Sequence, residues 1–117
     1  MRFKIAFRAC LVAVGFVATG WVTSTVASDE VKFSFKYLND DAVIAEGKEL
    51  WAQCRHCHGA AAYPGKAPKL KPHKYTPEFV YDRITNGFRK MPPWKEVYSV
   101  EQRKALTAYI KHRSFSP

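Results

Sequence analysis

Apolar and polar residues along this chain change rhythm several times, and each change marks an element. From Ala9 to Val22 the run is apolar, relieved only by Gly15, Thr19 and Gly20. Between Asp29 and Asn39 the pattern becomes period-two. Val31, Phe33, Phe35 and Tyr37 alternate with Lys32, Ser34 and Lys36, which predicts an extended strand. No second strand pattern follows, so this segment is expected to be an arm laid against the domain, with a docking segment as the alternative. From about Asp41 to Cys54 the spacing turns helical, with Ala42, Ile44, Ala45, Leu50 and Trp51 as its apolar positions. Asn39, Asp40 and Asp41 offer N-caps and negative charge to the first turn. Gly47 and Trp51 lie four apart and share a face, and a glycine there would let another helix approach closely.

Breakers then take over. Gly59, Pro64, Gly65, Pro68 and Pro72 make the stretch from Gly59 to Tyr75 a loop. A second helix is predicted with Thr76 as N-cap, Pro77 at its first position and Glu78 in its first turn. Phe79, Val80 and Ile84 are expected to point inward, and Asn86-Gly87 ends it. Phe88 to Tyr98 is a second loop. The last helix is predicted to begin at Ser99, where Ser99-Val100-Glu101-Gln102 reads as a capping box. It runs to about Arg113, with Leu106, Tyr109 and Ile110 as its buried stripe. The chain therefore reads as all-α.

Charge sorts the N-terminus from the rest. Arg2, Lys4 and Arg8 precede the apolar run, and small residues lead out of it to Ser28 and Asp29-Glu30. A basic start, a short apolar centre and a small-residue exit predict a secretory signal peptide over residues 1–28, cleaved after Ala27 or Ser28. An uncleaved anchor is the alternative. The apolar run of about 14 residues falls short of the ~20 that a spanning helix needs. Residues 29–40 then form the arm and 41–117 a single small domain. Removing the three leader cations lowers the net charge from +9 to +6. A moderately basic surface suits an acidic protein partner or an anionic membrane surface. Nucleic acid is a poor fit for an exported chain without a recognition motif.

The cysteines carry the chemistry. Of three, Cys10 leaves with the leader, and Cys54 and Cys57 remain inside Cys54-Arg55-His56-Cys57-His58. This C-x-x-C-H run is the attachment signature of a c-type haem. Each thiol can add across one haem vinyl group, and the histidine that follows can bind the iron. Two other chemistries use paired cysteines. Zinc needs four ligands in tetrahedral array, and no second cysteine pair exists. A thiol redox pair belongs beside a βαβ pattern, which is missing.

The order of elements resembles the small monohaem class I cytochromes c over nearly the whole mature chain. The residues that carry the likeness are Gly47 and Trp51 leading into Cys54-x-x-Cys57-His58-Gly59, then Ala67-Pro68-Lys69-Leu70, Met91-Pro92-Pro93-Trp94, and Ala108-Tyr109-Ile110 in the last helix. That resemblance implies three main helices around one covalent haem c, with the terminal helices crossing where Gly47 and Trp51 meet Tyr109. It implies thioether bonds from Cys54 and Cys57, iron ligation by His58 and Met91, and a His58 ring held by the Pro68 carbonyl. Tyr75 and Trp94 become candidates to shield the haem or to hydrogen-bond a propionate. His73 and His112 stay open as rival iron ligands. Lys66, Lys69, Lys71, Lys74, Lys90 and Lys95 fall in the two loops expected to flank the haem and would steer an acidic partner, with an ordinary solvated surface as the alternative.

The function implied is a periplasmic one-electron carrier that transforms no small-molecule substrate. Donors of the family include a quinol-oxidising membrane complex or a periplasmic dehydrogenase, and acceptors include a terminal oxidase or peroxidase. A permanent haem subunit of a dehydrogenase or oxidase is the second expectation, motivated by the aromatic arm. A ligand-binding or enzymatic haem protein is the third, and it requires Met91 to be off the iron. The short span between His58 and Met91 lacks the insertions that would name a partner.

Overall fold

The computed structural model describes residues 30–60 and 62–115, so the predicted leader and its cleavage point lie outside the described residues. Four α-helices follow in order: α1 Phe35–Leu38, α2 Asp41–His58, α3 Pro77–Asn86 and α4 Val100–Lys111, with a 3₁₀ turn at Pro72–Lys74 before α3. Among the described residues there is no strand, and one isolated bridge pairs Phe88 with Met91. No helix among them is long and apolar enough to cross a membrane.

The predicted strand at the arm is instead a four-residue helix. Its partners explain the difference. A lone strand would leave its backbone groups unpaired, whereas here Ser34 Oγ accepts from the Tyr37 amide at 3.2 Å and Asn39 Nδ2 donates to the Phe35 carbonyl at 2.8 Å. The arm does lie against the domain. Phe33 meets Tyr37 and Tyr81 at ring distances of 6.1 and 6.0 Å, and Lys104 of α4 sits over the Tyr37 ring.

Asp40 caps α2, its carboxylate accepting from the amides of Ala42 and Val43. The helix runs on through the cysteine motif, four residues past the predicted end, because nothing before Gly59 breaks it; the Gly59 amide closes it on the Arg55 carbonyl. Its buried line is Ile44, Gly47 and Trp51, with Leu50 and Cys54 packed alongside, while Ala42 and Ala45 face solvent.

α2 and α4 cross at Gly47. A Cβ at this position would collide with the Ala105 carbonyl and come within 2.7 Å of Tyr109 Cβ. Trp51, Tyr109 and Phe115 form an edge-on aromatic cluster, with Trp51 to Phe115 at 4.9 Å and Tyr109 to Phe115 at 5.2 Å. Leu106, 1% exposed, closes the core beneath them.

Both predicted caps are present. Thr76 Oγ1 accepts from the Phe79 amide with Pro77 at the first position of α3. At α4, Ser99 and Gln102 exchange both bonds of the capping box. Ser99→Ala is expected to cost about 1 kcal/mol, read as a fall of about 4–8 °C in melting temperature for a domain of this size. An unchanged melting temperature would show that the Gln102 side chain suffices alone.

Candidate functional site

The cysteine motif occupies the last turn of α2. Helical geometry sets Cys54 three residues before Cys57 and four before His58, so all three share one side of that turn. Cys57 is exposed and Cys54 half-buried, and neither thiol is in a disulfide. Burial pushes the Cys54 thiol up to about 11. Trp51 packs near the His58 ring, their centroids 5.9 Å apart, and its indole N–H donates to the Ala60 carbonyl at 2.7 Å. Trp51 thus braces both the histidine and the chain leaving the helix.

A cleft of about 320 Å³ opens beside this turn, a size within the range of cofactor sites. His58 reaches it from α2, Pro68 and Leu70 from the first loop, Val80 and Ile84 from α3, and Met91 from the second loop. Its walls are largely apolar. His58 Nδ1 is buried without a hydrogen-bond partner, and burial holds the ring below the usual histidine range. The bond expected from His58 to the Pro68 carbonyl is therefore not made, although Pro68 lines the same cleft. An imidazole and a soft thioether facing one apolar slot, with two thiols on the same helical turn as the imidazole, fit a haem. They do not fit a bare cation, and no cluster of three His, Cys, Asp or Glu able to hold one exists among the described residues.

Met91 is placed by backbone. Its amide and carbonyl both pair with Phe88 at 3.0 Å, and Gly87 lets the loop fold back. At φ +71, a Cβ on Gly87 would come within 2.5 Å of the Met91 carbonyl oxygen and 2.8 Å of Pro92. The Trp94 amide then ties the loop to the Ile84 carbonyl of α3 at 3.0 Å.

The other predicted residues divide. Tyr75 lines the cleft and stacks on Phe79 at 5.2 Å. Trp94 does not line it; it stacks on Tyr98 at 5.5 Å, against the core. His73 and His112 lie in a neighbouring cleft instead of this one. Three residues were not read as site residues in the sequence: Phe79, expected to point inward, is instead 41% exposed, Phe88 is 51% exposed, and both border the cleft with Arg83. The Arg83 guanidinium lies between the two rings, 4.7 Å from Phe79 and 4.5 Å from Phe88, a cation–π sandwich. Its Nε is buried without a partner. Spacing carries a faint signal for it, since Arg83 follows Phe79 by four residues on one helix face.

Cofactor-sized, mostly apolar and entered by the histidine of the C-x-x-C-H turn, the cleft belongs to a c-type cytochrome of the class I, all-α fold. Two solved structures share that fold. The KustC0563 c-type cytochrome is 28% identical, with a TM-score of 0.51 over 56% of this chain and 93% of its own. Cytochrome cL from the marine methylotrophic bacterium Methylophaga aminisulfidivorans is 24% identical, with a TM-score of 0.58 over 67% of this chain and 58% of its own. No curated protein matches the chain. The chain belongs to the family described as cytochrome c oxidase, cbb3-type, subunit III, whose profile matches residues 42–110. It carries a covalently bound c-type haem containing iron, its chemistry is haem-based electron transfer, and its partners are redox proteins.

Proposed function

We propose that the protein is an exported, periplasmic one-electron carrier in which Cys54 and Cys57 would hold the haem by thioether bonds and His58 and Met91 would ligate its iron. The observation that carries this reading is the common cleft: His58 and Met91, 33 positions apart in sequence, line one apolar slot, while His73 and His112 line another. The haem supplies an iron that cycles between ferric and ferrous states. The chain's own work is to hold two ligands, exclude water and tune charge. Met91 supplies a soft sulfur that favours the ferrous state. Burial holds the His58 ring below the usual histidine range, and Trp51 packs near it. With His58 and Met91 both held by the iron, no position would be left for a substrate, and the proposed role is that of a carrier that makes or breaks no substrate bond.

Pro68 lines the same cleft as His58 and is the proposed carbonyl partner for its unpaired Nδ1 when the haem is held. Tyr75, which lines the cleft, is the proposed propionate neighbour. Arg83, aimed into the cleft, adds a fixed positive charge. Arg83→Leu is expected to lower the reduction potential by on the order of 50 mV, because a cation lining the haem cleft would disfavour the ferric state. An electrode titration checks it, and a rise in potential would contradict the placement.

A second reading has its own support. The family description names an oxidase subunit, so this domain can serve as the permanent haem subunit of an oxidase, the role of terminal acceptor then falling within one complex. Size-exclusion and affinity purification from the native membrane separate the two: a free carrier elutes as a monomer with salt-sensitive rates, and a subunit co-purifies with its enzyme. The test of the core proposal is the absorption spectrum of the purified ferric protein. The weak long-wavelength band of a methionine sulfur–iron bond is expected, and haem without that band would remove Met91 from the iron.

A further inference from the structure

A second cleft, of about 490 Å³, lies against the first. One wall is the segment from Lys69 to Lys74, and the other is the end of α4 with Phe115. Lys69, Leu70, Pro72 and Ile110 line both clefts, so a single layer of residues separates this one from the haem slot.

Its charge is of one sign. Lys69, Lys71 and Lys74 come from the wall, and Lys111 and Arg113 from the end of α4. His73 and His112 add two titratable rings, and no Asp or Glu is in the lining. The ion pairs among the described residues use Lys32, Arg83 and Lys104, so none of these five cations is neutralised by one. The end of the α4 dipole offsets only about half a charge. Beneath the cations is an apolar floor of Leu70, Ile110 and Phe115, the last two buried. The six lysines predicted to ring the haem edge are thus not equivalent. Lys69, Lys71 and Lys74 converge here with α4, whereas Lys66, Lys90 and Lys95 stand exposed outside the cleft.

We propose that this second cleft is the docking site for a carboxylate-rich segment of the redox partner, one that seats an apolar side chain on the Leu70, Ile110 and Phe115 floor. It deepens the electron-carrier reading and rests on it for the partner being a redox protein. Opposite charge along an open trough orients an encounter, and the shared wall brings the seated partner close to the haem slot. Two other anions fit less well. A small oxyanion needs converging donors, yet Lys111, the deepest cation, spends its protons on the Pro72 and Tyr75 carbonyls. A membrane needs exposed apolar anchors, and none of the exposed large apolar side chains lines this cleft.

The test uses the full haem-loaded chain, labelled with nitrogen-15 and titrated at low salt with a short synthetic peptide of glutamates around one central phenylalanine. Saturable shifts confined to the amides of residues 69–74 and 110–115, abolished by added salt, are expected. Lys71→Glu with Arg113→Glu should weaken the peptide by about thirtyfold, while Lys90→Glu with Lys95→Glu changes it less than about twofold. Shifts centred on Lys90 and Lys95, or spread evenly over the surface, would overturn the proposal without any variant. So would inorganic phosphate that reproduces the shifts and displaces the peptide, or vesicles of phosphatidylglycerol that bind when the peptide does not. A reversible one-electron wave recorded on the same samples separates the two ideas. A chain without that wave fails as a carrier whatever the peptide does, and a chain with it that ignores the peptide refutes only the docking site.

Discussion

Met91→Ala is expected to lower the reduction potential by on the order of 0.2 V, a sizeable part of the roughly 0.8 V that axial ligands span. The same substitution should abolish the methionine sulfur–iron band and open the iron to added cyanide or imidazole. The reasoning is local. Met91 is carried by a loop pinned at both ends, by the two-way pairing with Phe88 and by the Trp94 amide on Ile84. Truncating the side chain leaves that frame intact, so the sulfur disappears without a collapsed loop to replace it. Val80, Ile84 and Leu70, which share the slot, offer no ligand, and His73 lies across the wall in the other cleft. A potential and spectrum unchanged from the wild type would sink the assignment of Met91.

Gly47→Ala should destabilise the haem-loaded protein by about 2 kcal/mol, although two effects oppose each other. Alanine is the better helix former by about 1 kcal/mol. Against that, the new methyl would run into the Ala105 carbonyl and Tyr109 Cβ. Neither neighbour yields cheaply, since one is helix backbone and the other is fixed at its root. Overpacking of this kind costs about 3 kcal/mol at the upper end, so the clash wins. The expected readout is a fall of about 8–16 °C in melting temperature. A rise instead would mean that the two helices can move apart without loss. Gly47→Val, larger and β-branched, should fall further.

Much of this was legible because it depends on near neighbours in sequence. Thr76-Pro77-Glu78 and Ser99 with Gln102 specify helix starts through bonds that span three residues, and both starts lie where predicted. The haem motif is equally local, its three donors falling within one helical turn. The arm failed for the same reason. Alternation at Val31, Phe33, Phe35 and Tyr37 describes which side chains lie on one side, but a strand needs a second strand, and no local pattern supplies one. With none to pair with, Ser34 and Asn39 closed the backbone on itself.

By itself, then, the sequence determined the all-α class, the helix caps and the chemistry of the C-x-x-C-H turn, because each follows from spacing or from the reactivity of named side chains, whereas the meeting of Gly47 with Tyr109 was implied only by the family resemblance. Only the tertiary structure decided which distant groups share a space. It joined His58 to Met91, sent His73 and His112 to another cleft, moved Trp94 off the slot and onto Tyr98, and set Arg83 between Phe79 and Phe88. It also gathered Lys69, Lys71 and Lys74 with Lys111 and Arg113. Those groupings arise from the crossing of α2 with α4 and from loops folded back onto α3, and the energy of such long-range packing leaves no periodic mark along the chain.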